Sequence, residues 1–231
     1  MSIKQIEQCV SCKTKSICFK QLSNDELKLA NVNRVQIQFK KGEIISKQGS
    51  FVTHVMYLKN GFAKVYKETD IDHNLILDII PSGKLIGLTS LFNQDNIARF
   101  SVAALDNTVV CSIDRKTIEQ FVHQNSKFAE SVISSLNKES LLFYDKLASL
   151  TQKQMNGRVS EALLYLSENI FKSTQFKMIL SRKDLADYTG MSVMSVVRTL
   201  KKLKDEKIIE DDKGFMQIND KKMLQQISLR G

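Results

Sequence analysis

The chain has 231 residues, 42% of them hydrophobic, and 34 Lys and Arg against 25 Asp and Glu give a formal net charge of +9. That hydrophobic share supports a packed core rather than wholesale disorder, and the positive balance suits a polyanionic partner without naming one. No run approaches the ~18 apolar residues of a membrane helix, and the opening Met1-Ser2-Ile3-Lys4-Gln5 has no secretory core, so a cytoplasmic location without membrane contact is expected.

Residues 1–24 form a short segment holding three of the four cysteines. In a reducing compartment these read as metal, redox or packing residues, and least as a disulfide framework. A brief helical pattern (Leu27, Leu29, Ala30) follows Ser23-Asn24, both cap candidates. From Val35 to about Asp114 the pattern turns to short apolar or alternating runs: 35–39, 54–58, 63–66, 75–80 and 109–113. Turn signals at Lys41-Gly42, Gln48-Gly49, Asn60-Gly61 and Pro81-Ser82-Gly83 separate them, which predicts a β-sandwich or jelly roll over 25–114.

From Arg115 to about Leu150 the pattern is helical. Ala129, Ile133, Leu136, Ser140, Phe143, Leu147 and Leu150 recur at gaps of four and three, a heptad seam. The same residues would serve a helix packed on its own core. Length favours the seam, because such a helix outruns a small jelly roll, and a homodimer is expected. Ser140 in the seam would cost stability and help set register. Residues 151–231 hold further helical stretches and a closing hairpin pattern, Ile208-Ile209 and Phe215-Met216-Gln217-Ile218 around Asp211-Asp212-Lys213-Gly214. The fold class is therefore α+β.

The densest local signal is Ser181 to Lys204. Ser181 with Asp184 reads as a capping box that starts a helix. Ala186, Gly190 and Val196 then fall at the spacing of a helix-turn-helix: a small residue under the crossing helix, a glycine for a left-handed turn, and an apolar residue closing the core. Ser192 caps the second helix. From Ser192 to Lys204 there are four basic residues and no acidic one, the footprint of a helix in a major groove. Ser192, Met194, Ser195, Arg198, Lys201 and Lys202 are the DNA-contact candidates. Arg198 is assigned a base, since guanidinium forks onto guanine O6 and N7. Lys201, Lys202 and Lys204 are assigned phosphates. Solvated basic helix faces are common; the caps, the hairpin wing and the seam upstream make double-stranded DNA the better reading.

This order of parts resembles the Crp/Fnr family of bacterial regulators over essentially the whole chain. The resemblance is carried by Phe39-Lys40-Lys41-Gly42-Glu43, Tyr57-Leu58-Lys59-Asn60-Gly61, the run Pro81 to Gly87, and Ser181-Arg182-Lys183-Asp184-Leu185-Ala186. It implies a homodimer, a palindromic DNA site and control of RNA polymerase. Within the family the cysteines look like the Fnr branch: Cys9, Cys12 and Cys18 in a Cys-x2-Cys-x5-Cys pattern, and Cys111 far downstream. The resemblance implies that these four thiolates hold an oxygen-labile 4Fe-4S cluster. Zinc on four thiolates, or a buried packing role for Cys111, are the competing uses.

Two departures bear on function. In the cyclic-AMP-binding branch a glutamate follows the glycine matching Gly87, and an Arg-Ser pair comes shortly after. Here Leu88 and Thr89 follow Gly87, and Phe100 follows Arg99, so cyclic AMP is disfavoured. The recognition helix also has Met194 where the family commonly has glutamate. The guanine read by Arg198 should then be kept and the neighbouring preference relaxed. An unknown small ligand in the jelly roll is the alternative controller. An iron–sulfur redox protein is the third reading. No dinucleotide-binding glycine motif is present, and His54, His73 and His123 are scattered, so no enzyme is expected.

Overall fold

The computed structural model describes residues 8–69, 74–93 and 95–231. The first seven residues of the cysteine segment and His73 lie outside the described residues. The chain divides into two compact units. The first comprises Met1–Val65 and Ile80–Leu141, the second Tyr66–Ile79 and Leu142–Gly231.

In the first unit, α1 (Asn24–Val32) starts at a capping box between Ser23 and Glu26. Strands β1 (Arg34–Phe39), β2 (Ile44–Ser46), β3 (His54–Asn60), β4 (Phe62–Lys67), β5 (Leu75–Pro81), β6 (Leu85–Ile86), β7 (Ser101–Ala104) and β8 (Thr108–Asp114) follow, the end of β4 and β5 up to Ile79 being assigned to the second unit. They form two four-stranded sheets, ordered β1-β8-β3-β6 and β2-β7-β4-β5. This is the expected jelly roll, with β2, β6 and β7 added; all three are too short to carry a readable alternation. Gly61 makes the β3–β4 turn at φ +91, where a Cβ would come within 2.6 Å of Asp106 Oδ1. Phe62 N donates to the same carboxylate at 2.8 Å.

Strand β8 is buried on both faces, which explains its unbroken apolar run. Because side chains alternate along a strand, Val110 enters one core with Leu58, Ile86 and Val102. Cys111 and Ile113 enter another, with Phe19, Leu27, Tyr57, Phe121 and Phe128. The cysteine segment thus covers the face of the sheet that carries Cys111.

The single helix expected from Arg115 is two helices, α2 (Arg115–Gln124) and α3 (Ser126–Gln152). Asn125 separates them in an extended conformation (φ −125, ψ 100). Its side chain accepts from Phe128 N at 3.0 Å, capping α3, and donates to Gln21 O at 3.1 Å.

The second unit contains α4 (Met155–Tyr165), a π-helical turn Leu166–Phe171, β9 (Gln175–Lys177), α5 (Arg182–Thr189), α6 (Val193–Asp205), β10 (Ile209–Asp212), β11 (Phe215–Ile218) and α7 (Lys221–Arg230). The wing is three-stranded, ordered β10-β11-β9, rather than the simple hairpin read from sequence. Helix α7, also missing from that reading, is capped by Asp220, whose side chain accepts from Met223 N at 2.9 Å.

Candidate nucleic-acid interface and cysteine site

Helix α5 begins at Ser181, whose hydroxyl accepts from Asp184 N at 3.0 Å while the Asp184 carboxylate accepts from Ser181 N at 3.0 Å. It ends at Gly190 in the left-handed region (φ 62, ψ 40). A Cβ there would lie 3.0 Å from Leu150 Cδ2 as well as being strained. Two residues later Ser192 starts α6, accepting from Ser195 N at 3.2 Å. Ala186, Val196, Leu200 and Leu203 are buried, as the motif requires.

Burial of Val196, Thr199, Leu200 and Leu203 fixes the inner face of α6. At 100° per residue, Met194, Arg198 and Lys201 fall on the opposite side, with Lys202 beside them. All four are exposed, and Arg198, Lys201 and Lys202 have no acidic partner within 4 Å among the described residues. Val197 (47% exposed) lies on the same outer face and was not among the sequence candidates. A wheel of the burial pattern finds it, and its methyls are suited to a thymine methyl. Ser192 and Ser195 are joined through their hydroxyls at 2.9 Å. Lys204, expected on a phosphate, donates to Asp211 O of the wing at 3.1 Å. Arg182 and Asp211 form an ion pair that also ties α5 to the wing.

The proposed seam residues have mixed positions on α3. Ile133, Phe143 and Leu147 are exposed, as is Ser140, which donates to Leu136 O at 3.0 Å. Leu136 packs on the first unit's core, and Leu150 is half-buried. Leu141, Leu142, Phe143 and Tyr144 are consecutive and all exposed, so one turn of α3 presents apolar side chains over most of its circumference.

The thiols are arranged as follows. Cys9, Cys18 and Cys111 are buried, and Cys12 is half-buried. Burial pushes the thiols of Cys9 and Cys111 up, against the opposing pull of the Arg34 guanidinium. Arg34 Nη1 donates to Cys111 Sγ at 3.6 Å and Nη2 to Asn31 Oδ1 at 3.2 Å. Asn31 Oδ1 also accepts from Cys9 N at 3.1 Å, so one arginine and one asparagine join the cysteine segment to β8. Cys9, Cys12 and Cys111 lie within electrostatic range of one another. Cys18 is also held up by burial, but its neighbours are Ser131 and Glu139 of α3. Among the described residues no three Cys, His, Asp or Glu side chains converge on a metal position. The donor set suits a cluster in chemistry and spacing; its arrangement does not, because Cys18 is seated elsewhere.

At the positions compared with the cyclic-AMP branch, Gly87 is left-handed (φ 94) and Leu88 is buried in the core that holds Cys111. Arg99 is ion-paired to Asp95.

Residues 36–125 match the family profile described as the cyclic nucleotide-binding domain, and residues 157–227 the Crp-like helix-turn-helix domain. The chain is 23% identical over 174 residues to the transcriptional activator protein Anr of Pseudomonas protegens, covering 74% of this chain and 70% of that one. It is 21% identical over 226 residues to the fumarate and nitrate reduction regulatory protein of Yersinia pestis, covering 95% and 90%. FixK2 from Bradyrhizobium japonicum superposes with a TM-score of 0.77 at 19% identity, over 84% of this chain and 96% of that one. Fold and interface together define a DNA-binding transcription regulator built from a cyclic nucleotide-binding-type β domain and a winged helix-turn-helix. The chain belongs to the Crp/Fnr family. Among the described residues no helix is long and apolar enough to cross a membrane.

Proposed function

We propose that the protein is a cytoplasmic homodimeric regulator that reads an inverted-repeat DNA site with Met194, Val197, Arg198 and Lys201 of each α6 and is governed by its cysteine segment. The observation that carries the DNA reading is the outer face of α6, exposed, basic and free of ion pairs while its inner face is fully packed. A two-fold dimer would place two such helices on half-sites about one helical turn apart. Dimerisation is supported by the stretch Leu141–Tyr144, since an exposed apolar turn gains from being covered. RNA polymerase is the partner that family membership suggests. Replacing Phe143→Glu tests the assembly: sedimentation should show a monomer that has lost tight binding to the palindrome. A variant that stays dimeric on its site would remove α3 as the seam.

For the sensor, the reading is a redox-responsive 4Fe-4S cluster on Cys9, Cys12, Cys18 and Cys111. Support comes from the spacing of the four thiols and from Arg34, which donates to Cys111 and acts on Cys9 as well. Such a site requires deprotonated thiols and Cys18 drawn away from Ser131. Visible absorption with iron and sulfide analysis on anaerobically prepared protein tests it. A brown, air-bleached protein supports the reading. A protein still colourless after anaerobic reconstitution overturns it and leaves DNA binding standing.

A further inference from the structure

A cavity of about 720 Å³ opens in the first unit between the cysteine segment (Lys15–Gln21), the β5–β6 turn (Pro81–Leu85) and one face of α3 (Lys127–Lys138). Its size is within the range of small-molecule sites. Lys15, Lys84, Lys127 and Lys138 line it against a single carboxylate, Glu130. Lys15 donates to Val10 O at 2.6 Å. Lys84, Lys127 and Lys138 have no acidic partner within 4 Å among the described residues. Five serines add neutral hydroxyls to the wall. One of them, Ser131, has a buried Oγ that makes no hydrogen bond of normal geometry among the described residues, although the Cys18 thiol is beside it.

Four like charges gathered against one carboxylate repel one another and gain from an anion. Lysines act on phosphate as movable point charges, and hydroxyls complete the shell. Lys127, Ser131, Ser134 and Lys138 recur at gaps of four, three and four, so α3 presents one continuous polar stripe to the cavity. By helical spacing Ile133 and Ser140 of the proposed seam lie on the other side, so occupancy and dimerisation do not compete for the same face. None of Gly87, Leu88, Thr89 or Arg99 lines this cavity, which separates it from the positions compared with cyclic-nucleotide binding.

We infer that this cavity is a binding site for a small phosphorylated anion, held by Lys84, Lys127, Lys138 and Ser131, which clamps the cysteine segment against α3 with Cys18 facing Ser131. The inference stands on the cavity alone and does not need the cluster. Calorimetry on the full-length, metal-free protein in phosphate- and sulfate-free buffer tests it, with pyrophosphate and ADP as probes and citrate as a non-phosphate anion. Saturable binding of a phosphate probe, weakened at least tenfold in Lys127→Gln/Lys138→Gln and weakened in Ser131→Ala, is expected. The Lys40→Gln/Lys41→Gln protein should bind as the wild type does, and so should Arg198→Ala/Lys201→Ala, which removes the DNA face. Tighter binding of ADP than of pyrophosphate would identify a nucleotide, and equal binding a simple polyphosphate. The inference is overturned by no saturable binding, by equal binding of citrate, or by loss of binding only in the Arg198→Ala/Lys201→Ala protein.

Discussion

The winged helix and the cysteine segment are built on opposite plans. In α5 and α6 each functional position is fixed by a neighbour a few residues away: Ser181 with Asp184, Gly190 ending α5, Ser192 with Ser195. The inner face of α6 packs, and Met194 and Arg198 are delivered outward by helical geometry alone. The cysteine site depends on distant partners. Arg34 reaches Cys111 only because β1 pairs with β8, and Cys18 meets Ser131 only because α3 crosses the segment. A preorganised surface can bind as it stands. The buried thiols of Cys9, Cys18 and Cys111 would have to lose their protons before they could hold a metal.

The largest break in this contrast is expected at Leu203→Ala, which removes a fully packed side chain beneath α6. A loss of about 2–5 kcal/mol in urea denaturation, with DNA binding abolished near the new midpoint, is the expected outcome. Cysteine alkylation rates under native conditions should be unchanged; if they rise equally, the two sites are not independently built. Next comes Arg198→Ala, which should cost about 1–3 kcal/mol on the preferred site and little on random DNA. Equal losses on both, measured by titration at fixed salt, would make Arg198 a phosphate contact. The smallest effect belongs to the thiols. Burial holds Cys9, Cys18 and Cys111 above the usual thiol range, so the folded chain keeps protons that the unfolded chain releases. The stability this provides is complete below the ordinary thiol pKa and is lost as pH rises through the higher folded values. Urea midpoints compared at neutral and alkaline pH should therefore fall less in Cys111→Ser than in the wild type. An identical fall would mean that Cys111 titrates normally.

Much of the winged helix was legible because its signals are local. The caps, the left-handed glycine and the basic run are all contained between Ser181 and Lys204. Val197 escaped because its exposure depends on which face of α6 the core takes, and the bond from Lys204 to the Asp211 carbonyl could not be read because that carbonyl belongs to the wing. Strands β2, β7 and β9 have three or four residues each, too few for periodicity to speak. The division at Asn125 was hidden because an asparagine in a polar stretch breaks no apolar pattern. Its capping bond to Phe128 and its donation to Gln21 reveal the break.

The amino-acid order by itself determined the parts of this protein and their sequence along the chain: β domain, long helix, helix-turn-helix and wing. Alternation, heptad spacing and capping act over a few residues and need no partner to be read. Only the tertiary structure decided which side of β8 carries Cys111, which residues of α3 pack inward and which stay exposed, and that unpaired lysines surround one cavity. Those are matters of contact between segments dozens of residues apart, and local spacing carries no record of them.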